Sequence, residues 1–250
     1  MLIRMIDTHC HILPAVDDGP KTIDGALRLA AAAVEEGITT IIATPHHRER
    51  HYLNSAKKIN RRVKLFNAKL KRVGIPLKVL PGQEYHLTER YPTEFRRGRI
   101  QTLAGSRYLL VELPSRKVPG YFTDFLAFMK RADIRVVIAH PERNLGIIDQ
   151  PDQVAGWIRD FGVLLQVTTQ SLAGFFGESV QSTAAYLCKH RLVHLIGTDA
   201  HNTVRRKFYA QEGLGIIDKL CGAGFRKSLE DHAVQLISGK EIGTFHQPTV

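Results

Sequence analysis

The sequence predicts an α/β fold in which parallel strands alternate with helices, and three observations carry that prediction. Short β-branched or Leu-rich runs recur along the chain, each closed by a polar stop and followed by a helical stretch. With 250 residues, 44% of them hydrophobic, the chain can bury a large core. α/β barrels commonly reach this length as one domain, so a single domain over residues 1–250 is expected. Finally, His, Asp and Glu fall repeatedly at the ends of the apolar runs.

Seven runs read as strands. In the first, "MIDTHCH" (5 to 11), strand alternation points His9 and His11 to one face and Cys10 to the other. The second, "TTIIATP" (39 to 45), leads into His46. "LKVLPGQEY" (77 to 85) closes on Glu84, and "YLLVEL" (108 to 113) carries Glu112 near its end. "RVVIAHP" (135 to 141) ends at His140, and "VLLQVTT" (163 to 169) follows it. The last, "HLIGTDA" (194 to 200), leads through Asp199 to His201, a spacing that repeats His9 and His11. Between strands 1 and 2, residues 22 to 36 form a helix with Ala26, Leu29, Ala30 and Ala33 on one face and Gly37 as its stop. Residues 55 to 73 place Ile59, Val63, Phe66, Leu70 and Val73 on one stripe. Around it stand Lys57, Lys58, Arg61, Arg62, Lys64, Lys69, Lys71 and Arg72, a face either simply solvated or docking an acidic partner or a membrane surface. "GLGIIDKLCGAG" (213 to 224) reads as a helix with its C-terminal stop rather than a nucleotide loop. This alternation implies parallel strands joined by right-handed crossovers.

Composition removes several classes of function. No apolar run approaches the roughly 20 residues needed to cross a bilayer, and "MLIRMIDTHC" lacks the features of a signal peptide; a cytoplasmic protein is expected. Cys10, Cys188 and Cys221 form an odd set without a C-x-x-C pair, which argues against a disulfide framework and a thiolate zinc site. The net charge of +11 favours an anionic partner, be it phosphate, nucleic acid or lipid. A cysteine-phosphatase loop needs five residues between Cys and Arg, but "CGAGFR" (221 to 226) has four. G-x-S-x-G and P-loop patterns are absent.

In a chain with 12 histidines, one His-x-His can arise by chance, and a lone Glu or His at a strand end is ordinarily a cap or surface residue. Recurrence at the same end of successive strands is another matter. In a closed parallel barrel those ends meet on the face where active sites are built. Carboxylates and imidazoles without thiolates suit Mn²⁺, Fe²⁺ or Zn²⁺, and so many donors exceed what one ion can use. A multinuclear site is expected.

Together "DTHCHILPAVDDGP", "ATPHH", "GQEYH", "LLVELP", "AHPERN" and "TDAHN", in order over residues 6 to 206, resemble the polymerase and histidinol phosphatase (PHP) superfamily. Within it they are similar to the bacterial protein-tyrosine phosphatases of capsule and exopolysaccharide synthesis. The resemblance implies a distorted seven-stranded, TIM-like (β/α)7 barrel of the PHP type and a trinuclear centre, with manganese the expected ion and iron or zinc the alternatives. It implies that His9, His11, Glu84 and Asp199 hold one metal, that Glu84 bridges to a second held by Glu112 and His140, and that Asp18, His46 and His201 hold a third. Asp18 is preferred to Asp17 on family spacing alone, and Asp7 could orient a ligand. Arg143 in "HPER" and Arg206 would bind phosphate; because "HNTVRRK" departs from the family's usual Gly, Arg and Pro, Arg205 is an alternative to Arg206.

Such residues suit hydrolysis of a phosphate monoester. Metals neutralise the dianion and supply hydroxide at neutral pH, so a metal-bridging hydroxide is expected to attack phosphorus in line while the arginines hold the equatorial oxygens. A phenolate leaving group, of parent pKa about 10, suits a site without an obvious general acid. The implied substrate is a phosphotyrosine protein, a bacterial tyrosine kinase of polysaccharide synthesis. Histidinol phosphate is the alternative substrate, nucleic-acid processing is less expected, and homo-oligomerisation stays open. Of the other histidines, His47 and His86 are candidate substrate contacts, while His51, His190, His194, His232 and His246 read as surface or packing residues.

Overall fold

A computed structural model of the chain describes residues 5–48 and 51–243. Among them are nine strands: β1 (Met5–Cys10), β2 (Ile38–Ala43), β3 (His46–His47), β4 (Lys78–Pro81), β5 (Glu84–His86), β6 (Tyr108–Glu112), β7 (Arg135–Ala139), β8 (Leu164–Thr168) and β9 (Leu195–Gly197). All pairings are parallel, in two sheets ordered β1-β2-β4 and β3-β5-β6-β7-β8-β9.

Nine strands stand where seven runs were expected because the third run is divided into β4 and β5, and a short strand, β3, follows directly after the second. Pro45 offers no N–H to a ladder. Just past β4, Gly82 is pressed so closely that a Cβ there would lie 2.6 Å from Ile42 Cγ2. The chain therefore bends at both places, leaving β2 and β4 in one sheet and β3 and β5 in the other. A parallel bridge from Cys10 to Ala200, with His11 N–H on Ala200 O (3.0 Å) and Asp199 N–H on His9 O (2.7 Å), ties the end of β1 to the segment after β9. The product is a curled parallel sheet whose strand ends face one another.

Its strands read as continuous apolar runs because they are buried on both faces. Leu109, Val111, Val136, Ile138, Leu165 and Val167 join one core cluster, with Leu29 and Phe66 of the surrounding helices. The alternate residues Leu110, Val137 and Leu164 join Ile42 and Leu195 in a second, to which the helix Ala223–Ile237 adds Ala233 and Leu236. Helix α1 (Ile23–Glu35) buries the four expected residues; Thr22 Oγ1 accepts the Gly25 N–H at its start, and Gly37 follows its end with φ of 82°. Helix α2 (Ala56–Val73) buries Ile59, Val63, Phe66 and Leu70, and Gly74 caps it in the left-handed conformation. Val73, read as part of that stripe, is instead 44% exposed. It sits in the last turn, beyond the edge of the sheet contact. No helix among the described residues is long and apolar enough to cross a membrane.

Candidate metal centre

All nine expected ligands meet at the curled sheet's rim. Donor atoms of His9, His11, Glu84 and Asp199, all buried, lie within 4.8 Å of one another. So do those of His11, Asp18, His46 and His201, and those of His46, Glu84 and Glu112. His140 joins the last group, its Nε2 2.8 Å from Glu84 Oε1 and 4.0 Å from Glu112 Oε1. His46 thus stands beside Glu84 and Glu112 as well as Asp18, so the three expected sets share more members than the sequence suggested. Four of these atoms, His46 Nδ1, Glu84 Oε2, Asp199 Oδ1 and His201 Nε2, are buried without a hydrogen-bond partner. Leaving so many polar atoms unsatisfied is unfavourable. Their mixture of imidazole nitrogen and carboxylate oxygen fits divalent metal ions.

Two different local geometries bring the candidate ligands in. The pleat of β1 puts His9 and His11 side by side, ring centroids 5.4 Å apart, and leaves Cys10 buried with Sγ on Ala200 O. Asp199 and His201 were read as a second pleated pair, but β9 stops at Gly197. There Asp199 takes φ of 54° and, at the end of β7, His140 takes φ of 31°. Non-glycine residues seldom adopt this region, and where they do the surroundings commonly enforce it at functional sites. Gly197 is required by the same crowding, since a Cβ there would lie 2.4 Å from His9 Cβ.

A shell of partners aims the rings. His11 Nδ1 lies 2.7 Å from Asp17 Oδ2, which also accepts the His46 N–H (3.1 Å). Asp17 is therefore committed to two candidate ligand residues, while Asp18 Oδ1 lies 3.2 Å from His201 Nε2 and 3.7 Å from His46 Nε2. His201 Nδ1 faces Asp199 O at 2.8 Å. His9 Nδ1 faces Gln166 Oε1 at 2.8 Å, and the Gln166 amide donates to Thr8 Oγ1 at 2.7 Å, which fixes its orientation. These contacts at Nδ1 leave the Nε2 atoms of His9, His11 and His201 turned inward, whereas His46 presents Nδ1 to Glu84. Asp7 holds no ring: it accepts the N–H groups of His9 and Thr198 and the Thr198 hydroxyl, tying β1 to the β9 end. Burial pushes its carboxyl up to about 6. His86, a candidate substrate contact, has Nδ1 2.8 Å from Glu112 Oε2.

Gln166 was not anticipated, although a single polar side chain inside "VLLQVTT" is a signal. Gln166→Leu keeps the volume and removes the acceptor that fixes the His9 tautomer. Metal affinity, measured by competition with a chelator, is expected to fall about 10- to 100-fold; unchanged affinity would show that Gln166 only packs.

Burial disfavours charge on Glu84, yet the imidazoles of His9 and His46 hold it well below the usual carboxylate range. Burial likewise works against the cationic form of His46, and the Glu84 carboxylate overrides it, raising His46 to about 9. Burial also acts against the Asp199 carboxylate, but Arg206 and Arg143 hold it strongly ionised. His201 goes the other way: burial and the neighbouring His11 push it down to about 4, so it stays neutral with its nitrogen free to bind a cation.

Beside Glu84 and His140 opens a cavity of about 260 Å³, with Leu113, Pro141 and Phe176 on its walls and Arg143 and Arg206 at its edge. Arg143 donates to Asp199 Oδ2, to Thr168 Oγ1 (2.6 Å) and to Ser171 Oγ (3.3 Å), and its guanidinium lies 3.8 Å from the Phe176 ring centroid. Arg206 donates to the same oxygen of Asp199. Arg205 is exposed and does not line the cavity. His47 is not a cavity residue either: its Nδ1 accepts the Asn54 N–H and its Nε2 meets Glu94 Oε2 at 3.0 Å, so both nitrogens are engaged in a buried cluster. His51 and His190 are exposed, His194 and His232 are buried, and His246 lies outside the described residues.

Residues 5–238 match the family described as capsular polysaccharide synthesis, CpsB/CapC. The chain is 36% identical over 244 residues to tyrosine-protein phosphatase YwqE of Bacillus subtilis (strain 168), a match covering 98% of this chain and 95% of that protein. It is 31% identical over 230 residues to tyrosine-protein phosphatase CpsB of Streptococcus pneumoniae, covering 90% and 94%. A crystal structure from work on YwqE of B. subtilis and CpsB of S. pneumoniae, described there as unique metal-dependent tyrosine phosphatases, superposes with a TM-score of 0.93. It shares 34% identity and covers 98% of this chain and 99% of that one.

Proposed function

Since the chain belongs to the CpsB/CapC family of capsular polysaccharide synthesis, we propose that it is a metal-dependent protein-tyrosine phosphatase. The observation that carries this reading is the meeting, at one cavity, of buried unpartnered His, Asp and Glu atoms with two guanidinium groups.

His9, His11, Glu84 and Asp199 would hold one ion, Glu84, Glu112 and His140 a second, and Asp18, His46 and His201 a third. Manganese is the first choice, with iron or zinc as alternatives. When bound, the ions neutralise the phosphate dianion and make hydroxide available at neutral pH. The chain's own residues do the rest. Arg143 and Arg206, anchored on Asp199, direct their remaining N–H groups at the phosphoryl oxygens, where charge builds during in-line displacement. Leu113, Pro141 and Phe176 supply an apolar wall for a phenyl ring. The phenolate that leaves, of parent pKa about 10, needs little protonation, so no dedicated acid is required.

In the fuller reading, the curled sheet is a distorted seven-stranded barrel in a single domain, the enzyme is cytoplasmic, and its substrate is a tyrosine kinase that regulates capsular or exopolysaccharide synthesis. The same metals would serve a small-molecule phosphatase, which turnover can separate. The metal-loaded protein is expected to show a kcat/KM for a phosphotyrosine peptide at least about 10²-fold above that for histidinol phosphate or a phosphoserine peptide. A preference for histidinol phosphate would defeat the reading.

A further inference from the structure

From residue 51 to residue 83 the chain contains no Asp or Glu, and α2 carries eight Lys and Arg in 18 residues. Seven of the eight are exposed, and none has a carboxylate partner among the described residues. Lys57 and Arg61, Lys58 and Arg62, and Lys69 and Arg72 are like charges at helical neighbour spacings, which destabilise a helix. The pattern therefore works against the fold, and its use lies outside it.

Where α2 begins is equally informative. Asn54, one residue before its N-cap, donates from Nδ2 to the carbonyl of His46 (2.8 Å), and the Tyr52 ring lies parallel to the His46 ring at 6.1 Å. The basic helix thus starts at the rim of the metal centre and runs about 27 Å away from it, the span of roughly eight extended residues. Its apolar stripe is already buried in the core, and its exposed surface offers only two isolated large apolar side chains, Leu65 and, in the last turn, Val73. Membrane-surface helices need an apolar face to insert, and single-stranded nucleic acid needs aromatic platforms; this face has neither.

We propose that α2 is a docking track for an acidic peptide segment flanking the phosphotyrosine, with Lys57, Lys58, Arg61 and Arg62 meeting its carboxylates nearest the cavity. The proposal rests on the phosphatase reading above. Exposed pairs are individually weak and screened by salt, so the track sets KM rather than kcat.

The test compares the metal-loaded wild type with Lys58→Glu/Arg61→Glu and with the milder Lys58→Gln/Arg61→Gln. Three substrates are used: a phosphotyrosine peptide with an Asp/Glu-rich flank, the same peptide with Asn/Gln in that flank, and para-nitrophenyl phosphate. Charge reversal is expected to raise KM for the acidic peptide on the order of tenfold at low salt, with kcat unchanged, and neutralisation to raise it less. The neutral peptide and para-nitrophenyl phosphate should not respond, and about 0.5 M salt should erase the difference. Equal KM values for the acidic peptide in all three proteins overturn the proposal, as does a loss confined to binding of anionic vesicles. A wild type inactive on para-nitrophenyl phosphate refutes the phosphatase reading instead.

Discussion

Glu84→Ala is expected to lower kcat/KM for a phosphotyrosine peptide by about 10⁴-fold or more and to remove more than one metal ion per chain. Glu84 is the carboxylate common to two of the three donor groups. Its Oε2 lies 3.4 Å from His9 Nε2, 3.1 Å from His11 Nε2 and 3.0 Å from His46 Nδ1, while Oε1 lies 2.8 Å from His140 Nε2. Glu112 makes the informative contrast, because it belongs to one group and its side chain is partly exposed. Glu112→Ala should release a single ion and leave more activity. Metal per chain, measured side by side for the two variants, decides the matter: equal losses would mean that Glu84 does not bridge.

The arginines come next in size. Arg143→Ala and Arg206→Ala should each lower kcat/KM by about 10² to 10³, the scale for losing one preoriented donor to developing charge. Lys should restore only part, since it supplies charge without the planar fork. Both guanidinium groups hold Asp199 Oδ2, so each single variant keeps one clamp on that ligand and should retain its metals. The double variant frees Asp199 and should lose metal as well. Arg205→Ala, at an exposed position outside the cavity, should be silent. A crippled Arg205→Ala beside an active Arg206→Ala would place the phosphate contact one residue earlier.

Much of the site was legible because its chemistry is written at strand ends, and strands buried on both faces announce themselves as apolar runs. What the sequence hides is whatever depends on residues far apart in the chain. Asp17 and Asp18 are indistinguishable in "VDDGP"; only the fold shows that Asp17 meets His11 and the His46 N–H while Asp18 lies against His201. Gln166 needs His9, 157 positions away, to acquire a role. His47 looks like a site residue beside His46, yet Glu94 and Asn54 take both of its nitrogens. The break between β4 and β5, and the separate β3 after β2, follow the packing of Gly82 against Ile42, and the runs mark it in their composition only by Pro45 and Gly82. Asp199 and His201 converge through a left-handed turn rather than a pleat, so the spacing was informative and the geometry inferred from it was not.

The most direct test of the account is metal content and turnover followed together on one sample. Exhaustive chelation should remove about three ions per chain and abolish hydrolysis of a phosphotyrosine peptide, and refilling with manganese should restore both in proportion. Full turnover by protein shown to be free of metal would contradict the account.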